Sequence, residues 1–362
     1  MSQPVSIVTE LYEPNLGGQE SRFARLAEAL AARGRQVTVY TSDHTGGTLP
    51  TESLVNGVKV VRYVTLSGYV RNGSRGLYPL ARYWRATRRL LHQLLAYPGS
   101  VWVNEMPIVH MLGTEDDPGL VVDWCEYPTY WKVNPLARRL IRRFGRRTAN
   151  SEPVADHLRS LRPGGTIDVV WTPVPSPTGP PPSREMGTVL YVGRIVGHKN
   201  IGALAEAVRQ FNGNGGAHAR LLIAGEGPDR PALERRFGSN GHTQFLGHIS
   251  EAEKLRLIRS SWLVAIPGTR EGLPTCAAEA TVCGTPLLVS GSFRNSCGEF
   301  TRKNDLGVVA RGTQAADFLE ALRSVDVPSW DRWAARSTVF KSLYDPEANV
   351  RRLEAALDRR AS

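Results

Sequence analysis

One stretch in the second half of the chain, residues 262–286, constrains the fold more than any other part of the sequence. It begins with the apolar run 262–266, whose length and Pro and Gly borders are typical of a buried strand. A polar loop follows, and Pro274 then begins a predicted helix that ends near Gly284. Another strand is predicted over 287–290. This order of strand, loop, helix and strand predicts an α/β fold in which a helix begins at the carboxyl end of a strand.

The start of this predicted helix is suited to binding an anion. The helix N-terminus over Leu273, Pro274 and Thr275 offers backbone N–H groups, although none from Pro274 itself, and the positive end of the helix dipole, which attract phosphate. Glu271 precedes this point and Glu279 follows it. Ionised carboxylates repel phosphate and only accept hydrogen bonds, so we expect them to bind hydroxyl groups of a sugar or ribose. The alternative is a loop glutamate and a helix glutamate that are simply solvated.

Three motifs resemble those of the retaining glycosyltransferases of the GT-B fold, family 4. They are the glycine-rich loop at Gly17 and Gly18, the G-R-x4-K segment from Gly193 to Lys199, and the E-x7-E pattern from Glu271 to Glu279. The resemblance implies two Rossmann-like, doubly wound α/β domains that face each other across a cleft. It also implies a retaining enzyme that moves a hexose-type sugar from a nucleoside-diphosphate sugar to a hydroxyl acceptor.

The resemblance also implies a role for each matched residue. Arg194 and Lys199 would neutralise the leaving diphosphate. Glu271 would hold hydroxyls of the sugar, and Glu279 those of the ribose. Further contacts with the nucleotide sugar are expected from Gly17, Gly18, Gly193, Leu273, Pro274, Thr275 and His248. A surface histidine is the alternative at His248, and a basic surface loop at Arg194 and Lys199. No metal site is predicted, and the donor is the only small molecule expected besides the acceptor.

The first half of the chain begins with its own strand–helix–strand unit. A strand over 5–9, a helix over about 20–33 and a strand over 36–41 surround Gly17 and Gly18, where the backbone can approach a ligand closely. Neither the dinucleotide fingerprint G-x-G-x-x-G nor the phosphate loop G-x4-G-K-[ST] occurs there. A tight turn without a ligand is the alternative reading of the two glycines.

Asp123 is the candidate sugar contact in the first half. It follows the predicted strand 120–122, and ligands of open α/β sheets bind at the carboxyl ends of strands. Many members of the family carry a histidine in this region that contacts the donor sugar. This sequence departs from that pattern, and Asp123 is the residue that we expect to take over the contact. Capping of a helix is the alternative role for its carboxylate.

The length of 362 residues predicts two domains. The proline-rich segment 173–186 is expected to be a semi-rigid linker, because proline suits neither a helix interior nor a central strand. It would separate an acceptor-side domain, residues 1–172, from a nucleotide-sugar domain, residues 187–344. The amphipathic segment 345–362 is predicted to be a helix that crosses back to the first domain, as is common in this fold.

The net charge of +11 favours anionic partners. Two predicted helices, 77–97 and 136–147, carry arginines among leucines, so contact with an anionic membrane surface is one hypothesis. The alternative is a solvated face whose arginine stems cover apolar neighbours. The acceptor itself is predicted only by class, as a small molecule, a glycan or a lipid-linked compound.

The cysteines and the apolar runs point to a cytoplasmic protein. Cys125, Cys276, Cys283 and Cys297 lack paired spacing and are expected to be reduced thiols. No apolar run approaches the ~20 residues that span a bilayer, and the start of the chain lacks the pattern of a secretory signal. Location in the cytoplasm, with contact at the inner membrane surface as the added hypothesis, is the prediction.

Two other functions remain open at this point. A nucleotide-sugar epimerase shares the two-domain fold, but it would form its product without an acceptor. A non-catalytic nucleic-acid-binding protein would agree with the positive charge, although no basic–aromatic motif or known binding module occurs in the sequence. Nucleic acid is therefore not an expected partner.

Overall fold

A computed structural model describes residues 3–14, 17–66, 70–71, 74–126, 142–162, 164–180, 182–213 and 218–359. The chain divides into two compact units, the first formed by residues 1–173 with 346–362 and the second by residues 174–345. The predicted domains end at 172 and 344, each within one residue of these borders, whereas the second domain was predicted to begin at 187 and the second unit begins at 174.

The described residues form sixteen strands and eleven α-helices. The strands are β1 (Val5–Val8), β2 (Val37–Asp43), β3 (Glu52–Val55), β4 (Val58–Thr65), β5 (Val70–Arg71), β6 (Ser74–Arg75), β7 (Ser100–Asn104), β8 (Leu120–Trp124), β9 (Arg146–Ala149), β10 (Thr166–Val169), β11 (Glu185–Val192), β12 (Arg220–Ala224), β13 (Thr243–Gly247), β14 (Ser261–Ile266), β15 (Leu287–Val289) and β16 (Gly307–Val309). The helices are α1 (Gly18–Ala32), α2 (Leu77–Leu95), α3 (Glu152–Leu161), α4 (Ile201–Asn212), α5 (Arg230–Phe237), α6 (Glu251–Ser260), α7 (Thr275–Val282), α8 (Ser296–Asn304), α9 (Ala315–Arg323), α10 (Val327–Phe340) and α11 (Pro346–Asp358). Short 3-10 helices cover Ile108–Met111, Gly197–Lys199 and Lys341–Tyr344.

The first unit contains an eight-stranded sheet in the order β10-β9-β8-β7-β1-β2-β4-β3. All neighbouring strands are parallel except β3, which pairs antiparallel with β4. Strands β7 and β8 are buried at every residue, as expected for parallel strands that are covered on both faces. The small hairpin of β5 and β6 stands apart from this sheet.

The core beneath this sheet combines α1 with α11, the last helix of the chain. Phe23 of α1 stacks on Trp102 of β7, with the ring centroids 4.2 Å apart. Leu26 and Leu30 continue the apolar face of α1, and Leu353 of α11 belongs to the same buried cluster. The segment predicted as a returning helix is therefore part of the core of the first unit.

The second unit contains a six-stranded, fully parallel sheet in the order β13-β12-β11-β14-β15-β16. Its strands are rich in Leu, Ile and Val, and β14 is buried at every residue. Helices α4 and α9 contribute Leu204, Val208 and Phe318 to the core of this unit. The predicted strand, loop, helix and strand over 262–290 are observed as β14, α7 and β15.

In each sheet the early strands of the unit are added on one side of its first strand, and the later strands are added on the other side. In the first unit the change of direction lies between β1 and β7, and in the second between β11 and β14. Loops at the carboxyl ends of the two strands diverge at such a point and leave a crevice, which is where open α/β sheets bind ligands. The order of the strands thus selects the loops after β11 and β14 as the ligand-binding loops of the second unit.

The proline-rich segment does not form a separate linker. It belongs to the second unit, where the backbone N–H of Val174 donates to the Tyr344 carbonyl at 2.9 Å. The Arg259 guanidinium donates to the carbonyl oxygens of Thr178 and Gly179. Because proline carbonyls and their neighbours still accept hydrogen bonds, the segment is pinned to its unit, and β11 already begins at Glu185.

The second predicted basic helix, 136–147, can be compared with the structure only from residue 142 onward, because residues 136–141 lie outside the described residues. At its described end the prediction of a helix is wrong. Arg146 and Arg147 lie in β9, which is paired with β8 and β10. The Arg146 guanidinium donates to the Ala356 carbonyl at 2.6 Å, so its charge faces helix carbonyls and not solvent. The first basic helix is observed as α2.

The cysteines and the helices bear on the expected surroundings of the protein. All four cysteines are free thiols, as predicted. Among the helices that the structure describes, none combines the length and the apolar composition needed to cross a membrane.

Candidate active site

The loop after β11 is shaped by Gly193 and by the tyrosine beneath it. Gly193 has φ +153°, and a Cβ there would lie only 3.0 Å from the Tyr191 hydroxyl oxygen, so a side chain would be strained and crowded. The same hydroxyl donates to the Arg194 carbonyl at 2.8 Å. Backbone and tyrosine thus hold the turn while the Arg194 side chain extends into solvent.

Lys199 and Glu271 form the polar centre of this site. The Lys199 ammonium donates to both Glu271 carboxylate oxygens, at 2.7 and 2.9 Å. Their side chains are 20% and 9% exposed, so the pair lies in a recess that is still open to solvent. An ammonium has three N–H donors, and two of them face Glu271, which leaves one for another acceptor.

The Lys199 end of the pair is positioned by the turn that contains it. Gly197–Lys199 forms a 3-10 helix, and Asn200 then takes a left-handed conformation with φ +55°. Asn tolerates this conformation better than most residues, and its side-chain amide donates to the Pro267 and Thr313 carbonyls at 3.3 and 2.8 Å. The turn after β11 is thereby tied to the loops after β14 and β16.

The Glu271 end is positioned by the loop after β15. The Glu271 backbone N–H donates to the Arg294 carbonyl at 3.1 Å, and its carbonyl accepts from the Ser296 N–H at 3.0 Å. The buried Asn295 amide donates to the Gly268 carbonyl at 3.0 Å. These contacts fix the polar loop on both sides of the glutamate.

Helix α7 begins where the sequence predicts it. Pro274 occupies the N-cap position without a side-chain cap, and Thr275 is the first helical residue. Leu273, just before it, is buried. The N-terminus of α7 directly follows the loop that contains Glu271, so the positive end of its dipole lies at the end of that loop.

Glu279 is buried in the second turn of α7, only 1% exposed, and has a cationic partner that the sequence analysis did not find. The Lys254 ammonium of α6 donates to its Oε1 at 2.9 Å and also to Glu251. Burial lowers the pKa of Lys254, but the negative charges of Glu279 and Glu251 outweigh it, and the pKa stays above its ordinary value. Lys254 lies one helical turn after the Ser250 cap, and no motif marks it.

Positive charge dominates the loop after β11. His198 is surrounded by Lys199, Arg270 and Arg194, and burial followed by these three charges lowers the pKa of His198 to about 4. The imidazole is therefore neutral at pH 7 because a further positive charge is unfavourable there. His248, in contrast, is exposed directly after β13.

In the first unit, the predicted glycine loop leads into α1. Gly17 is the N-cap residue of α1 and Gly18 its first helical residue, and a side chain on Gly17 would collide with Glu20. The neighbouring Gln19 amide donates to Glu105 at 3.2 Å, at the end of β7. The glycines therefore lie at the change of chain direction between β1 and β7, as the ligand-loop prediction requires.

Asp123 is not placed to contact a sugar, and that prediction is corrected. Its side chain is 0% exposed, and it accepts from the Arg22 guanidinium and the Thr148 hydroxyl, each at 2.5 Å. Arg22 also donates to the Val170 carbonyl at 2.7 Å. Asp123 lies inside β8 and caps no helix. Its carboxylate neutralises a buried guanidinium, because an unpaired charge in the interior is strongly unfavourable.

Glu105 is a second buried carboxyl that the sequence analysis did not select as a site residue. Its Oε1 accepts from the Cys125 N–H at 2.9 Å. Burial, and then the charge of Asp123, raise the pKa of Glu105 to about 8. The signal that could have found it is its position directly after β7, where strands of an open α/β sheet present polar residues.

Comparison with known proteins follows the same division of the chain. The family described as "Glycosyltransferase Family 4" matches residues 16–176, and the family described as "Glycosyl transferases group 1" matches residues 181–325. The chain is 26% identical to the glycogen synthase of Mycobacterium tuberculosis over 383 aligned positions, which cover 96% of this chain and 87% of that protein. It is 26% identical to a phosphatidyl-myo-inositol mannosyltransferase of Mycobacterium leprae, covering 91% of this chain and 89% of that protein.

Solved structures share the fold at lower sequence identity. Sucrose-phosphate synthase from Thermosynechococcus elongatus has a TM-score of 0.74 at 17% identity and covers 97% of each chain. Anabaena HepE, solved in complex with UDP and glucose, has a TM-score of 0.67 at 14% identity and covers 98% of this chain and 99% of its own. Both matched families and both parallel-sheet units agree with the GT-B fold. The chain therefore belongs to the group 1 glycosyltransferases, family 4, and is an enzyme that transfers a sugar.

Proposed function

We propose that the chain is a retaining glycosyltransferase that moves a hexose-type sugar from a nucleoside-diphosphate sugar to a hydroxyl acceptor. The observation that carries this proposal is the convergence of three features at the β11–β14 crevice. These are the cations after β11, the carboxylate of Glu271, and the N-terminus of α7. Together they suit a ligand that has two phosphates next to a ring with hydroxyl groups.

The charge that develops on the leaving diphosphate would be taken by the second unit. Arg194 and the third N–H of Lys199 would donate to phosphate oxygens, and the first-turn N–H groups of α7 would add neutral donors. Such donors favour the transition state because the diphosphate gains negative charge as the sugar leaves. No cofactor beyond the donor is needed in this proposal, since these groups supply the electrostatic stabilisation.

The two carboxylates would hold the hydroxyl groups of the donor. Glu271, fixed by the backbone of Arg294 and Ser296, would accept from hydroxyls of the transferred sugar. Glu279 would accept from the ribose hydroxyls, beside the Lys254 ammonium that donates to its Oε1. Leu273, Pro274, Thr275, Gly193 and His248 complete the proposed nucleotide-sugar contacts, and Gly17 and Gly18 are the proposed contacts of the first unit.

Retention of the anomeric configuration agrees with a reaction in which the bond breaks and forms on the same face of the sugar. The bond from the anomeric carbon to the diphosphate oxygen breaks, and a bond to the acceptor oxygen forms on the same side. The proton of the acceptor hydroxyl passes to the departing phosphate, whose negative charge makes it a base. Lys199 and Arg194 would hold that phosphate in place for both events. This mechanism needs no basic side chain at the reacting atoms.

The test of the donor proposal is thermal stabilisation by a panel of UDP-, GDP- and dTDP-hexoses, followed by an acceptor screen. A ligand at 100 times its Kd stabilises the folded state by about 2.7 kcal/mol, which a melting experiment resolves. We expect one nucleotide class to stabilise the protein and the product to keep the anomeric configuration, as read by NMR coupling constants. Epimerisation of the donor sugar without an acceptor would favour an epimerase. Absence of stabilisation by every nucleotide sugar in the panel would reject the donor site.

We also propose that α2 contacts anionic membrane surfaces from the cytoplasmic side. Leu77 and Tyr78 are 87% and 80% exposed at its start, and Arg82, Arg85 and Arg89 are exposed along one face. Residues 78, 82, 85 and 89 follow helical spacing, so aromatic and cationic groups share that face. The test is flotation with acidic and with neutral vesicles, and the Arg82→Gln, Arg85→Gln, Arg89→Gln triple variant should lose binding to acidic vesicles. Failure of the unaltered protein to float would reject membrane contact.

A further inference from the structure

A separate pocket opens at the carboxyl edge of the second sheet, and we call it the loop pocket. It has a volume of about 590 Å³, and its nine lining residues come from the loops that follow β11, β14, β15 and β16. His198 precedes Lys199, and Arg270 precedes Glu271, so the loop pocket borders the proposed diphosphate site. The proposed base contact follows β13, at the opposite edge of the same sheet.

The lining of the loop pocket is cationic. Its positive charges are the guanidinium groups of Arg270 and Arg294, with the neutral His198 imidazole beside them, and no aspartate or glutamate occurs among the described residues that line it. Arg294 is exposed, and its guanidinium lies over the Phe293 ring. The lowered pKa of His198, about 4, has burial as its first cause and then the charges of Lys199, Arg270 and Arg194. A pocket with two guanidinium groups and no carboxylate attracts small anions.

The walls of the loop pocket are braced before any ligand arrives. The Ser292 hydroxyl donates to the Thr269 carbonyl at 2.6 Å, and the Thr269 N–H donates to the His198 carbonyl at 2.8 Å. The Asn200 amide donates to the Thr313 carbonyl at 2.8 Å. These bonds tie all four loops to one another. A preformed pocket binds at a smaller entropic cost than a mobile one.

An exposed aromatic side chain indicates that the ligand is more than an inorganic ion. Phe293 is 70% exposed at the pocket, and the Arg294 guanidinium lies 5.4 Å from the centre of its ring. Pockets for small molecules typically hold about 300–1,000 Å³, and this volume lies within that range. A free phosphate would fill only a small part of it. A monosaccharide-sized molecule that carries an oxyanion would use both the cations and the ring.

We propose that the loop pocket binds the oxyanion of a small substrate, with Arg270 and Arg294 as its charge partners and Phe293 against its carbon skeleton. The planar guanidinium group suits phosphate and carboxylate equally, because both offer two oxygens to its paired N–H groups. Two sources have this chemistry, namely a phosphate on the acceptor and a carboxylate on the transferred sugar. The choice of source rests on the proposed glycosyl transfer, whereas the binding of the oxyanion can be measured without it.

In the binding experiment the full chain is titrated with two probes, inorganic phosphate and glucose 6-phosphate, and calorimetry measures their affinities. The nucleoside diphosphate that stabilises the protein in the donor panel is present in excess, so that the diphosphate site is occupied. We expect glucose 6-phosphate to bind, and Arg294→Gln or Arg270→Gln to weaken its binding about tenfold, as loss of a charge-assisted hydrogen bond does. Phe293→Ala should weaken the binding of glucose 6-phosphate and leave the affinity for inorganic phosphate unchanged.

The matched control is Arg323→Gln, which removes the same charge from an exposed position on α9. It should leave the affinity for both probes unchanged. Absence of binding by the unaltered protein, or equal weakening by Arg323→Gln and Arg294→Gln, would overturn the proposal. Without a nucleoside diphosphate the same titration still reports the loop pocket through Arg294→Gln, so failure of the donor proposal and failure of this one remain distinguishable.

Transfer assays then identify the source of the oxyanion. Arg294→Gln is compared with the unaltered protein on phosphorylated and unphosphorylated acceptors, and on a hexose donor and a hexuronate donor of the same nucleotide. A rise in KM of about tenfold confined to the phosphorylated acceptor assigns the pocket to the acceptor. The same rise confined to the hexuronate donor assigns it to the transferred sugar. Unchanged KM values for all four substrates would contradict a substrate role for the pocket.

Discussion

Two ion pairs at comparable places in the two units have opposite relations to solvent. Arg22–Asp123 in the first unit joins side chains that are 2% and 0% exposed, with 2.5 Å between Nη1 and Oδ2. Lys199–Glu271 in the second unit joins side chains that are 20% and 9% exposed, at 2.7 Å. Sequence analysis assigned Asp123, Lys199 and Glu271 alike to substrate contact. The comparison shows that position at a strand end does not separate a structural ion pair from one that is open to a ligand.

Access to solvent distinguishes the structural ion pair from the one that is open to a ligand. A pair whose two side chains are both sealed, such as Arg22–Asp123, cannot exchange a partner for a substrate, and its charges stabilise the fold only by neutralising each other. An open pair keeps a spare donor or acceptor, so a ligand can add to it without removing either charge from its partner. The predictions below test this contrast, first through stability in the first unit and then through activity in the second.

Asp123→Ala should have the largest effect, a loss of about 3–5 kcal/mol of unfolding free energy, because it leaves the Arg22 guanidinium unpaired in the interior. Denaturant unfolding followed by circular dichroism measures it. The matched control is Asp168→Ala, which breaks a partly exposed pair with Arg359 and should cost no more than about 1 kcal/mol. A stable Asp123→Ala protein that has lost transfer activity would restore the original assignment of Asp123 to the sugar.

Lys199→Ala should reverse the pattern in the second unit. We expect kcat/KM for transfer to fall about 10²–10³-fold, as happens when one stabilising donor to a developing negative charge is removed. The unfolding free energy should fall by only about 1–2 kcal/mol, since the pair is partly open. Steady-state kinetics and denaturant unfolding measure the two quantities, and Lys303→Ala on α8 is the exposed control. Near-normal transfer by Lys199→Ala or by Glu271→Ala would contradict the proposed roles.

The pH dependence of stability gives a third and smaller test. The pKa of Glu105 is raised to about 8 by burial and by Asp123, whereas a glutamate in an unfolded chain titrates near ~4.3. Between these values the folded state holds a proton that the unfolded state lacks, so stability falls as pH rises and levels off above the folded pKa. From pH 6 to 7.5 this amounts to about 2 kcal/mol.

Glu105→Gln cannot ionise and should flatten this dependence. Unfolding curves of both proteins across pH 5–9 measure it, and the variant should gain stability relative to the unaltered protein as pH rises. Equal slopes for the two proteins would show that Glu105 does not hold the proton in the folded state. A difference in slope would show that a charge in the sealed region acts on stability, whereas the cations of the open region act on substrate.

Local sequence patterns predicted the elements that carry the site with small errors at their ends. The helix expected from Pro274 is α7, the apolar run after Ser260 is β14, and the last helix is α11. The proline segment and the end of the second basic helix were predicted wrongly. In both places contacts with distant carbonyl groups decided the structure, and such contacts leave no mark on local composition.

Local sequence patterns were sufficient to predict the order of strands and helices around the site, because apolar periodicity and the chemistry of helix ends are local. The sequence also determined the spacing from Glu271 to Glu279, which places one carboxylate before α7 and the other in its second turn. The partners of those carboxylates, in contrast, depend on contacts between distant parts of the chain. Lys199 lies 72 residues from Glu271, and Arg22 lies 101 residues from Asp123. Such pairs depend on which strands become neighbours and on how deeply each end is buried, and both follow from the packing of the whole unit.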